Sequence, residues 1–144
     1  MKQIARSAIV EHSAAEMYAL VEDVEAYPSF LPWCTAAEVH ERRSGTTRAT
    51  LTVGLHGLRH SFTTRNENRP GEAIDMHLEQ GPFRHFRGEW RFVPLGPQAC
   101  RIEFSLQYEF SSRTLGRLLA PLFDGIADSM VDAFVRRAAE VHGH

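Results

Sequence analysis

RTLGRLLAPLFDGIADSMVDAFVRRAAEVH, residues 113–142, places Leu115, Leu118, Leu119, Leu122, Phe123, Ile126, Met130, Phe134 and Val141 at three- and four-residue intervals, the period of one helical face. An apolar stripe of that length has to be buried against something. Ser111 and Ser112 stand where a helix is capped, Arg136 and Arg137 come late, where positive charge suits the negative end of the helix dipole, and Gly143 follows as a stop. At about 1.5 Å per residue such a helix runs on the order of 45 Å, the width of a small domain. Pro121 removes one backbone donor inside it, so the sequence predicts a kink near Leu118 to Pro121.

The surface beneath the helix is read from Thr35 to Phe110, where apolar and polar residues alternate. Ala49, Leu51, Val53 and Leu55 oppose Arg48, Thr50 and Thr52; Leu58, His60, Phe62 and Thr64 oppose Arg59, Ser61, Thr63 and Arg65. Ile74, Met76 and Leu78 form the next inner set, then Phe86, Gly88, Trp90 and Phe92, then Ile102, Phe104, Leu106, Tyr108 and Phe110. Turn residues at Ser44-Gly45, His56-Gly57, Arg69-Pro70-Gly71, Gln80-Gly81-Pro82 and Pro94 to Pro97 separate these runs. Alternation with hairpin-length connections means a sheet with one apolar and one wetted face.

Upstream, Ile4 to His12 reads as a first strand. Ser13-Ala14-Ala15-Glu16 matches a capping box, and Met17, Tyr18, Leu20, Val21 and Val24 give the following helix its buried side. That helix is expected to end before Tyr27-Pro28, because the residue before a proline avoids helical geometry. The order strand, two short helices, about six more strands, long helix is that of an α+β helix-grip fold, a curved seven-stranded antiparallel sheet wrapped around the C-terminal helix. Such a sheet is too curved for one helix to fill, so a cavity between them is the expected place for an apolar ligand.

The 144 residues fit a single domain, 1–144, and the formal charge of −2 gives no general electrostatic case for DNA or RNA. Lys2 and Arg6 precede no long apolar core and no run approaches a membrane span, so the expectation is a cytoplasmic protein whose membrane contact is at most transient. Cys34 and Cys100 lie in no ligand pattern and read as reduced thiols; no metal or other cofactor is called for.

Two stretches resemble a known family. The run Tyr27-Pro28-Ser29-Phe30-Leu31-Pro32-Trp33-Cys34 and the ending from Leu122 to Ala138 are similar to the bacterial members of the coenzyme Q-binding family, within the START-like (polyketide cyclase, SRPBCC) superfamily. The resemblance covers essentially the full chain. It implies a START-like helix-grip domain that binds ubiquinone or a related isoprenoid lipid in support of respiration. Members of the family are also labelled polyketide cyclases, lipid-transport proteins and ribosome-association toxins, which implies the large ribosomal subunit as an alternative partner. The mitochondrial relatives carry a targeting extension, for which this chain shows no counterpart.

Candidate ligand contacts follow from the inner parity and the aromatic turn. Phe30, Leu31 and Trp33, fixed between Pro28 and Pro32, would form the mouth of the cavity, or Trp33 would simply plug one end of the core. Phe62, Met76, Trp90, Phe92, Phe104 and Tyr108 from the sheet and Phe123, Ile126, Met130 and Phe134 from the helix would line it. His60 and Thr64 are polar on the inward parity, where a quinone carbonyl would serve as partner, unless they reach water or backbone near a strand end. His60 and Tyr108 are the residues to examine for acid–base chemistry if the protein is a cyclase, although no nucleophile elbow, phosphate loop or paired-acid motif supports catalysis. Asp124, Asp128 and Asp132 fall opposite the apolar stripe and read as a solvated helix face. His56 and His60 flank a turn and do not make a helical zinc pair. Arg84, Arg87 and Arg91 alternate with Phe83, Phe86 and Trp90, and a ribosomal surface would need Arg59 and Arg65 on the same wetted face.

Overall fold

Alternating side chains and hairpin turns become seven strands joined in one antiparallel sheet. The computed structural model describes residues 1–55 and 57–143. Its strands are β1 (Lys2–Val10), β2 (Cys34–Arg43), β3 (Thr46–Leu55), β4 (Leu58–Arg69), β5 (Ala73–Gln80), β6 (Phe83–Gly96) and β7 (Ala99–Phe110), ordered β1-β7-β6-β5-β4-β3-β2. The first strand, β1, thus forms one edge of the sheet, paired with the last, and β2 forms the other edge. Every turn from β2 to β7 is a hairpin, several with a glycine at positive φ: Gly45 at 78°, Gly71 at 72°. His56, assigned to one of these turns by sequence, lies outside the described residues.

The capping box forms as the sequence requires. Ser13 Oγ accepts from the Glu16 amide at 3.1 Å, and Glu16 Oε1 accepts from the Ser13 amide at 3.0 Å, starting α1 (Ala14–Glu22). The helix ends earlier than expected, at Glu22. The chain then tightens into a 3-10 turn, Val24–Ser29, that contains Tyr27 and Pro28 rather than stopping before them. Buried Tyr27 donates its hydroxyl to the Val21 carbonyl and so ties that turn back to α1.

The long helix α2 (Arg113–His142) is capped by Ser112, whose Oγ accepts from the Leu115 amide at 3.1 Å, and is closed by Gly143 at φ 78°. It continues as helix through Pro121. Pro121 and Arg117 are both exposed, so the carbonyl that the proline leaves without a donor lies on the wet side. The buried stripe differs at its ends. Leu118 and Val141, placed on the inner face by spacing, are 47% and 49% exposed, while Ala127, Val131 and Ala138 take buried positions. Small side chains let the helix lie close to the sheet; Ala127 and Ala138 are wholly buried.

The packing of α2 is lopsided. It lies against β1, β7 and α1, with far sparser approach to the strands from β2 to β5. His142 Nδ1 reaches Glu16 Oε2 at 3.3 Å and fastens the helix end to the start of α1. Phe134, fully buried, holds the middle by edge-on contacts with Tyr27, Phe30 and Trp90.

Candidate functional site

A sheet that curls while one helix covers only part of its inner face leaves space on the uncovered part. That space is a cavity of about 60 Å³, walled by β3 (Ala49, Leu51, Val53), β4 (Phe62, Thr64, Asn66), Met76, Phe86, Trp90, Phe104 and Leu106 from the strands beyond, Val24, Tyr27 and Trp33 from the turn, and Phe123, Ile126, Ala127 and Met130 of α2. Inner-face parity puts each strand residue there. Gly88, between Phe86 and Trp90, leaves room for Met76 to lie across β6: a Cβ there would stand 2.3 Å from the Met76 methyl, and the flexible end of that side chain would have to move.

The wall is apolar except at one place. Thr64 and Asn66, two residues apart on β4 and 7% and 8% exposed, are joined by a hydrogen bond of 3.0 Å from Thr64 Oγ1 to Asn66 Oδ1. The Tyr27 hydroxyl is already committed to Val21, and burial raises its pKa further above the ordinary phenol range. Cys34, buried at the end of the aromatic turn, has its thiol pushed up to about 11 by burial. The wall therefore offers shape, apolar surface and hydrogen bonds rather than a proton carrier for neutral pH.

Among the residues named from sequence, Trp33, Phe62, Thr64, Met76, Trp90, Phe104, Phe123, Ile126 and Met130 are brought together on this wall. The others are placed elsewhere, each for a reason of packing. Leu31 is 1% exposed and part of the core, and Phe30 is held between Phe134 and the Arg137 guanidinium, which lies 4.8 Å above its ring. Phe92 is sandwiched by Trp90 and Tyr18, and Phe134 by Tyr27, Phe30 and Trp90. His60 borders a separate crevice of about 10 Å³ with Phe83, Phe110, Leu119 and Leu122.

Tyr108 is turned to the other flank of α2, where its hydroxyl donates to Asp124 Oδ1; burial first, and then that carboxylate, raise its pKa. Asp128 accepts from Arg6 of β1 at 2.6 Å. Asp124, half-buried, is thus a fastener to the sheet, contrary to the solvated face expected of it, while Asp128 and Asp132 lie on that exposed face as expected, Asp128 in a surface ion pair with Arg6. Asn66, Phe86 and Leu106 went unnamed as site residues, although their parity with Thr64, Trp90 and Phe104 was legible. Tyr27, Val24 and Ala127 had no such signal, since only the 3-10 turn and the close helix approach bring them in.

The outer sheet face carries its charges in rows. Register aligns Arg65, His77 and Arg87 in one row and Glu67, Asp75 and Glu89 in the next. Arg91 and Arg65 reach Glu89 and Glu67 at 3.0 and 3.6 Å, and Arg84 reaches Glu109 at 3.8 Å. The arginines share one face, as expected; along each strand they alternate with carboxylates, so the basic row across the strands, which Arg48 extends, is bordered by an acidic one. Among the described residues, no helix is long and apolar enough to cross a membrane, and no cluster of three or more His, Cys, Asp or Glu has metal-binding geometry.

Comparison with known proteins agrees with this architecture. Residues 10–135 match the family model described as polyketide cyclase / dehydrase and lipid transport. A ribosome association toxin, RatA, of Pseudomonas aeruginosa is 44% identical over 140 residues, covering 97% of both chains. A coenzyme Q-binding protein of Xenopus laevis, mitochondrial COQ10 homolog B, is 30% identical over 98% of this chain and 59% of its own. A START superfamily protein of Mycobacterium smegmatis superposes with a TM-score of 0.78 at 24% identity, covering 96% of this chain and 98% of that one, which shows the shared fold. The chain has the START-like helix-grip fold and belongs to the polyketide cyclase / dehydrase and lipid-transport family.

Proposed function

We propose that this protein binds an apolar molecule of the quinone or isoprenoid-lipid class between α2 and the sheet and carries it without transforming it. The observation that supports this reading is the apolar cavity with its single polar pair. At about 60 Å³ it is well below the roughly 300–1,000 Å³ of a filled ligand pocket, so a ring enters only as side chains withdraw. Met76 and Met130, both half-buried in the wall, are suited to that, because an unbranched thioether repacks at little cost. Each ligand methylene removed from water then contributes about 0.8 kcal/mol. The names of the Xenopus coenzyme Q-binding relative and of the lipid-transport family support the same reading. Such a cargo is drawn from a membrane, so a cytoplasmic carrier would touch one briefly. Native mass spectrometry of freshly purified protein, followed by organic extraction, tests this: one apolar molecule per chain is expected, and protein that stays empty after incubation with short-chain ubiquinone would overturn it.

A second reading, association with the large ribosomal subunit, draws on the name of the 44%-identical Pseudomonas relative. The outer face offers it the short basic row Arg48, Arg65, His77 and Arg87, bordered by the acidic row Glu67, Asp75 and Glu89. Co-sedimentation with ribosomal subunits, lost on charge reversal of Arg87 and Arg91, would favour it over the carrier; failure to co-sediment would remove it.

A further inference from the structure

Asn66 is a polar side chain 8% exposed, on the wall of an apolar cavity, with hydrogen-bonding capacity that the protein does not use. Its carbonyl oxygen accepts from Thr64 Oγ1 at 3.0 Å, and no hydrogen bond from its Nδ2 to another described residue is formed. The accounting holds for either orientation of the amide. With Oδ1 toward Thr64, both N–H groups are left over; with the amide turned, one N–H goes to Thr64 Oγ1 and one still remains. The Nδ2 is not sealed in but opens onto the cavity, where water or a ligand can meet it, as such groups in folded proteins normally are met. The surrounding side chains, Phe62, Met76, Trp90, Phe104 and Leu106 among them, offer no oxygen to meet it.

The geometry points to Asn66 as the specificity-determining contact of the cavity: its amide N–H donates to a carbonyl oxygen of the bound molecule, so the ligand is an apolar body carrying a ketone-, quinone- or ester-type acceptor that enters oxygen-first toward β4. Thr64 is the positioning residue that holds the Asn66 amide in the plane from which the N–H faces the cavity. This inference rests on the carrier reading above and adds the chemical feature that is recognised and the residue that recognises it. A hydrocarbon of the same shape would fill the cavity and leave the N–H unmet.

The test compares 1-tetralone with tetralin, which share a skeleton and differ by one carbonyl oxygen, by calorimetric titration of the wild-type protein and of Asn66→Leu and Thr64→Val. A hydrogen bond of ordinary net strength gives the ketone a preference of roughly three- to tenfold in wild type. Asn66→Leu abolishes that preference while tetralin still binds, and Thr64→Val reduces it. Circular dichroism and thermal melts run beside each variant, and the wild-type ratio needs no variant at all. Equal binding of the two compounds to wild type overturns the role of Asn66 while leaving the carrier reading in place. Binding of neither compound removes both.

Discussion

The two flanks of α2 are built on opposite principles. Toward β1 and β7 the helix is fastened by side-chain bonds, Tyr108 to Asp124 and Arg6 to Asp128, over close packing. Toward β3, β4 and β5 it meets apolar side chains across a hollow, and the polar ties on that side hold the turn instead of the helix: Arg42 of β2 reaches Glu22 and Glu25, each at 2.7 Å. One flank fixes where the helix lies; the other is free to repack. A binding protein of this fold needs both, because a cavity keeps its shape only if something nearby refuses to move.

Substitutions separate the flanks by size of effect. The largest is expected at Phe134, fully buried where helix, turn and β6 meet: Phe134→Ala should cost about 3–5 kcal/mol in urea unfolding. A loss below about 1 kcal/mol would mean that the middle of the helix is not gripped there. Next comes Tyr108→Phe, which strips the half-buried Asp124 carboxylate of its donor and should cost about 1–3 kcal/mol. A double-mutant cycle with Asp124→Asn isolates the pair, and additivity of the two single changes would show the fastener to be idle.

Much of this arrangement could be read from the chain before any coordinates, and the parts that could not share a cause. Strand parity is set by covalent geometry, so the inner residues of β3 to β7 were identifiable, and the apolar spacing of residues 113–142 announced the helix. Which inner residues face space and which face one another depends on where the helix lies across the sheet. Nothing local specifies that. Phe92, Phe134 and Tyr108 were therefore named as ligand contacts although they are packed or hydrogen-bonded elsewhere. Asp124 was misplaced for the same reason: a residue on the back of a helix is solvated only if no part of the sheet comes up beside it. Asn66 was missed because a polar residue in alternation looks ordinary until its surroundings prove apolar.

On the hollow flank, Met130→Ala should cost only about 1 kcal/mol, at the low end for a methionine because the side chain is half-exposed and already borders empty space. It should at the same time speed the uptake of a bulky quinone, measured by stopped-flow quenching of the Trp33 and Trp90 fluorescence. A stability loss as large as that of Phe134→Ala would erase the contrast between the flanks.

The smallest effect belongs to the ion pairs that hold the turn. The hydrogen bond from Arg42 holds the Glu25 carboxyl below its ordinary value of 4.5. A folded-state pKa below the unfolded one gives stability that is present above about pH 4.5 and lost as pH falls through the lower folded value. Because the pair is partly exposed, its worth is about 1 kcal/mol or less. Arg42→Gln should accordingly lower stability slightly at pH 7 and flatten that segment of the acid limb, as followed by urea titrations between pH 3 and 7. An unchanged acid limb would assign the pair no role in holding the turn.

The most direct test of a cavity that opens for a guest uses the methionines, which number four: Met1, Met17, Met76 and Met130. Met76 and Met130 line the hollow, Met17 is fully buried in α1, and Met1 is exposed at the chain start. In spectra of protein labelled with ¹³C-methyl methionine, titration with short-chain ubiquinone should move the Met76 and Met130 signals together and to saturation while Met17 and Met1 stay fixed. Motionless Met76 and Met130 signals at ligand excess, or shifts confined to Met1, would contradict the claim that the space beneath α2 receives a ligand.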